Sequence, residues 1–169
     1  MEDTAMAKFT GKQLAEKIQQ KINELTKACE GLDEATASQA PEGRWTPKEI
    51  LSHLSGPEGV GLLPMLQAFL DQDTPDLNVK AEDPFFTKSR SRMSVAELVS
   101  EVQQEYERVS QFAAGLSQEQ LDRKAHIPIF KDTPLGEYPT LEGVIGGLGA
   151  YHVKFHTDHM REVLAGAGH

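Results

Sequence analysis

The sequence predicts an all-α protein: an antiparallel four-helix bundle with long irregular connections, forming one domain over residues 1–169. Three observations predict it. Four stretches repeat apolar residues at steps of three and four, the spacing that lines one side of a helix. Each follows a residue able to cap a helix N-terminus: Thr10, Thr46, Ser94 and Thr140. Nothing alternates convincingly at period two, apart from a few residues near His126 to Phe130. Four amphipathic helices bury their stripes best against one another.

The elements follow in order. Leu14, Ile18, Ile22, Leu25 and Cys29 share one face, with Lys and Gln on the other, so a helix is expected over roughly 11–30, stopped by Gly31. Residues 31–44 read as a loop containing Pro41 and Gly43. Thr46-Pro47-Lys48-Glu49 is the strongest helix start in the chain, with a capping box and proline at the first helical position. Ile50, Leu51, His53 and Leu54 follow; Ser55 to Gly59 should kink or locally break the helix, and Gly61 to Leu70 resume it.

Residues 71–93 form a long connection, of the kind that often lies near a site or covers one. Ser94 and Glu97 make a second capping box, and Val95, Leu98, Val99, Val102, Tyr106, Val109 and Phe112 run as a stripe to Gly115. A short turn is expected over Ser117 to Leu121, then an irregular stretch over 123–139. In the last helix Leu141, Ile145, Leu148, His152, Phe155, His156, His159 and Val163 fall on one broad face.

Composition limits the function classes. Hydrophobic residues are 38 % and charged residues 25 %, which excludes a fibrous or disordered chain. No apolar stretch approaches the length of a membrane span, the start MEDTAMAKF lacks a signal-peptide pattern, and the cytoplasm is the default compartment. Cys29 stands alone, so no internal disulfide or cysteine-based zinc cluster is expected; it reads as a small core residue. With 17 Lys+Arg against 26 Asp+Glu the net charge is -9, which argues against a nucleic-acid partner. The basic run Lys88 to Arg92 reads as a solvated loop.

The histidines carry the chemistry. His53, His126, His152, His156, His159 and His169 are present, and three of them crowd into the last helix. On a regular helix His156 sits about 40° from His152, and His159 about 20° to the other side. All three therefore point to the apolar face. His-x-x-x-His on one face is a bidentate metal clamp, because side chains at i and i+4 are neighbours. His152 and His156 fit it, and His53 is the only upstream histidine on an expected core helix. Three nitrogen ligands with an open position form a catalytic rather than a structural pattern. The donor type suits a divalent transition metal: zinc or nickel first, with iron, manganese or copper compatible. The alternative is a buried hydrogen-bonded histidine cluster.

Two segments carry a resemblance. Trp45-Thr46-Pro47-Lys48-Glu49-Ile50-Leu51-Ser52-His53-Leu54 is similar to the first signature of the DinB-like superfamily, bacterial four-helix metal-binding proteins. Tyr151-His152-Val153-Lys154-Phe155-His156-Thr157-Asp158-His159-Met160 resembles the second. The connectors Leu116 to Asp122 and Thr140-Leu141-Glu142 resemble the family's as well. The resemblance implies His53, His152 and His156 as the metal ligands, and His159 at a place where a histidine is frequent without ligating. It also implies a metal-dependent thiol S-transferase acting on a small molecule, such as a low-molecular-weight thiol with an electrophile, and a homodimer. The Gly56-Pro57 interruption departs from the family's smooth second helix. A metal-dependent hydrolase, or a non-catalytic metal- or ligand-binding stress-response module, is the alternative.

No catalytic residue is fixed by the sequence. Glu58 is the candidate acid or base, five residues past His53, and Asp158 is a second; a solvated surface position is the other reading of each. Trp45 reads as a core anchor at the helix start, Tyr106 and Tyr151 as core residues, and His126 and His169 as surface residues.

Overall fold

The computed structural model describes residues 8–79 and 83–166. Helix α1, Gly11–Ala28, begins where Thr10 Oγ1 accepts from the Gln13 N–H while the Gln13 side chain accepts from the Thr10 N–H. It buries Leu14, Ile18, Ile22 and Leu25, each contributing about 1.5–3 kcal/mol by leaving water. Cys29 closes the stripe, buried. The next loop holds one short helix, α2, Glu34–Ala37, capped by Asp33.

Helix α3, Pro47–Ser55, has the expected capping box between Thr46 and Glu49. It is buried on nearly every side, from Pro47 and Lys48 through Ser55. It ends outright at Gly56, which has φ +76°; Gly59 and Gly61 also take positive φ. The expected kink is thus a full break, and α4, Leu63–Asp71, is a separate helix. Its N-terminus has no side-chain cap of its own. A carboxylate from another helix serves instead: Glu105 Oε2 accepts from the Leu62 N–H at 2.6 Å and the Leu63 N–H at 3.1 Å.

The basic run is not a solvated loop. It folds as α5, Lys88–Ser91, capped by Thr87, and it places Arg90 in the interior at 3 % exposure. Helix α6, Val95–Ala114, starts at the Ser94–Glu97 box and buries its expected stripe; α7, Gln118–Leu121, is a single turn. Near His126 the chain makes only isolated bridges, Asp76 with His126 and Lys124 with Thr140, and a 3-10 turn at Pro128–Phe130.

The last helix is not uniform. Thr140 caps α8, Leu141–Gly147; a π-helical segment follows over Leu148–Val153; α9 continues from Lys154–Gly166. Gly146, Gly147 and Gly149 weaken regular helix there. A Cβ on Gly149 would lie 3.0 Å from Cγ1 of Ile18, so glycine lets the widened turn press against α1. α1 packs on α6 and on the α8–π–α9 rod, and α3 packs on α6 and α9. These contacts close the four-helix bundle around the interior that holds α3. No strand occurs among the described residues.

Candidate metal centre

His53 lies in the last turn of α3, His152 in the π segment and His156 in the first turns of α9. Their ring centroids form a near-equilateral triangle: 5.0 Å between His53 and His152, 4.6 Å between His53 and His156, and 4.9 Å between His152 and His156. One ring nitrogen from each lies within 4.8 Å of the others, and the three could hold a metal ion. No carboxylate or thiol among the described residues completes the set.

The nitrogens are held in a definite sense. Nδ1 of His53 lies 2.7 Å from the Asp83 carbonyl oxygen, which only accepts, so Nδ1 carries the proton. Nε2 of His53 then presents a lone pair, 3.0 Å from Nε2 of His152. Two nitrogens bound to one zinc at about 2.0–2.1 Å lie about 3 Å apart, so this spacing fits a shared ion. Nδ1 of His152 is buried with no hydrogen-bond partner among the described residues. Nδ1 of His156 lies 3.3 Å from Nδ1 of His159.

Burial keeps His152 and His156 uncharged. It pushes His152 down to about 4, with the His53 ring adding to the shift. It pushes His156 down to about 2, aided by His152, His53 and His159. Both are neutral at pH 7 and hold lone pairs for a cation, and the donor set therefore fits a borderline transition metal.

Aromatic rings wall the site. Trp45 lies over the histidines, with centroids 5.0 Å from His53, 6.0 Å from His156 and 6.0 Å from His159. It is a cover for the cluster as well as an anchor at the start of α3. Phe85 stacks on His53 at 6.1 Å with planes 3° apart. A cleft of about 340 Å³ reaches His156 and His159 between Trp45, Arg44 and Phe155.

The other sequence candidates go elsewhere. Glu58 is exposed, and its Oε1 accepts from Thr87 Oγ1 at 2.6 Å; hydrogen bonds from Thr87 and Ser89 hold its carboxyl below the usual range. Asp158 is exposed and pairs with Lys154 at 2.8 Å and Arg161 at 3.4 Å. Tyr106 is buried as expected, but Tyr151 is 68 % exposed and Phe155 52 % exposed. The π segment displaces this edge of the helix from the regular wheel, and the two rings stack on each other outside at 5.9 Å. His126 is half-buried between Asp76 and Glu137, and His169 lies outside the described residues. Residues that the sequence did not single out also reach the site: Asp83 and Phe85 by contact and Arg90 through them. Their role passes through backbone carbonyls, which leave no local sequence signal; only the length of the 71–93 connection hinted at them.

The sequence profile of the DinB superfamily matches residues 17–160, and the chain belongs to that superfamily. No curated protein matches the chain at the level required for inference. Among solved structures it is similar to YfiT from Bacillus subtilis, with a TM-score of 0.78 and 19 % identity over 99 % of this chain and 93 % of that one. YfiT is described as a probable metal-dependent hydrolase with an unusual four-helix bundle topology. An uncharacterised protein from Clostridium difficile 630 aligns with a TM-score of 0.65 and 14 % identity, over 93 % of this chain and 96 % of that one. A protein from Streptococcus pneumoniae aligns at 0.60 and 12 %, over 94 % and 93 %. At these identities the likeness concerns the fold.

Proposed function

We propose that this protein is a metal-dependent enzyme acting on a small molecule, with His53, His152 and His156 as the ligands of one divalent transition metal, zinc or nickel first. The observation that supports this best is the convergence of three imidazoles, two buried and one part-buried, each with a ring nitrogen within 4.8 Å of the others and no acidic group joining them among the described residues. Bound there, the metal would supply Lewis acidity, lowering the pKa of a coordinated water or thiol.

The chain's own residues do the rest. Asp83 O holds the His53 proton on Nδ1, and His159 sets its Nδ1 3.3 Å from Nδ1 of His156. Trp45 and Phe85 exclude water from the rings they cover. The cleft at His156 and His159 admits a small molecule from the Arg44 side. Thiol transfer to an electrophile is the first reaction of this reading, supported by the superfamily resemblance. Hydrolysis is the second, supported by the description of YfiT. A homodimer belongs to the reading too, and sedimentation velocity checks it.

The test is a turnover screen of metal-loaded protein. One arm offers small thiols with electrophiles, and the other offers esters and amides. Turnover lost in His53→Ala supports the enzyme reading, and the productive arm chooses the reaction. A flat screen in protein that binds metal contradicts it and leaves a metal-binding module.

A further inference from the structure

We infer that Arg90 is the positioning residue of the histidine site: it locks the 83–85 turn against α3, and that turn decides which nitrogen of His53 carries the proton. The inference rests on the metal reading for its consequence, metal affinity, but its geometric content stands apart from it.

The turn is held open against its own preference. Phe85 has φ +52°, a region that non-glycine residues avoid. Within the turn, Asp83 Oδ1 accepts from the Phe85 N–H at 2.8 Å. From outside, the Phe85 carbonyl accepts from Ser52 Oγ at 3.0 Å and from Arg90 Nη1 at 3.2 Å. With the carbonyl pinned, the Phe85 ring stacks on His53 and the Asp83 carbonyl reaches His53 Nδ1.

Arg90 is the hub of this arrangement. Its side chain is 4 % exposed. Besides Phe85 O, its Nη1 lies 3.2 Å from Ser52 O, 3.1 Å from Ser52 Oγ and 2.6 Å from Gly56 O. Its Nε faces Glu101 Oε1 at 3.3 Å. It thus ties the end of α3, beside His53, to the turn that His53 leans on. A buried guanidinium is tolerated only where oxygens surround it, and its planar fork reaches several at once. A lysine ammonium keeps the charge without that fork. The Thr87 cap sets the start of α5, and Glu58 holds Thr87. The acidic residue read as a catalytic candidate therefore braces the helix that carries Arg90.

The consequence concerns one proton. While Asp83 O accepts from Nδ1, the lone pair of His53 stays on Nε2, pointed at His152. Once the turn loosens, the proton is free to move to Nε2 and block that ligand atom. Groups that orient metal-binding histidines typically change affinity about 10–100-fold when lost.

The experiment uses the full chain as wild type, Arg90→Lys, Asp83→Ala and Glu105→Gln. Long-range 1H–15N spectra of the metal-free proteins read the His53 tautomer, and competition with a chromophoric chelator reads Zn(II) affinity. The expected result is an Nδ1–H His53 in wild type and Glu105→Gln. In Arg90→Lys and Asp83→Ala the tautomers should be mixed, with zinc affinity weaker by about 10–100-fold. Glu105→Gln controls for general destabilisation, since Glu105 caps α4 without touching the turn. If Arg90→Lys does not fold, Asp83→Ala decides. Wild-type tautomer and affinity in the folded variants would overturn the inference. If wild type binds no zinc, the metal reading fails instead, and the tautomer arm alone decides this one.

Discussion

Replacing Glu105 with Ala should remove a large part of the stability of this chain. The carboxylate is buried at 3 % exposure and is the cap of α4. It accepts from the N–H groups of Leu62 and Leu63, and from Arg108 Nη2 at 2.8 Å. Truncation leaves two backbone donors without partners, at about 1–3 kcal/mol each. The Arg108 pair adds less than about 1 kcal/mol, because the arginine side chain is 55 % exposed. The sum is about 2–7 kcal/mol. For a chain of 169 residues, each kcal/mol moves Tm by about 2–4 °C, so a fall of about 4–28 °C is expected. Glu105→Gln keeps one acceptor oxygen and should lose less than half of that. The assay is thermal unfolding by circular dichroism, with urea titration for the free energy. A Glu105→Ala protein within about 1 kcal/mol of wild type would refute the reasoning, because capping from a distant helix would then contribute little.

Further outcomes follow from single groups. His126 has carboxylates on both ring nitrogens, Asp76 at 2.6 Å and Glu137 at 2.7 Å, and its hydrogen bonds to Glu137 and then Asp76 raise its pKa above the ordinary 6.5. Its contribution is present below pH 6.5 and is lost as pH rises through the raised value; wild type should therefore lose more Tm than His126→Gln between the two. His152 works the other way: with its pKa down at about 4, it favours the fold above pH 6.5 and withdraws about 3 kcal/mol as pH falls to 4. His152→Leu, in metal-free protein, should flatten that acid limb of a urea-unfolding series. The Tyr106 hydroxyl is buried without a hydrogen-bond partner, and burial raises its pKa. Tyr106→Phe should leave Tm unchanged or raise it, because an unsatisfied group is removed and the ring remains; a clear fall would reveal a partner for the hydroxyl.

Where local chemistry decides the structure, the sequence was readable. The Thr46–Glu49 box and Pro47 start α3, and the Thr10, Ser94 and Thr140 caps start their helices where expected. The His152–His156 pair was legible because helical spacing and apolar neighbours are both local; His53, on another helix, came in through its place on an expected core helix and the superfamily resemblance. The π segment was not, since a helical wheel assumes 3.6 residues per turn throughout. Only Gly146, Gly147 and Gly149 hinted at it, and the closest of them, Gly149, meets Ile18 of α1. Arg90 was misread for a related reason. A Lys-Ser-Arg-Ser-Arg run looks solvated until the carbonyls of Ser52, Gly56 and Phe85 are brought around its second cation.

The most direct test of the metal centre is elemental analysis of tag-free protein beside His152→Ala. The account predicts one equivalent of a transition metal in wild type, lost in the variant while the fold persists. Protein that holds no metal, even after reloading with zinc and nickel, would contradict it and leave His53, His152 and His156 as a buried hydrogen-bonded cluster.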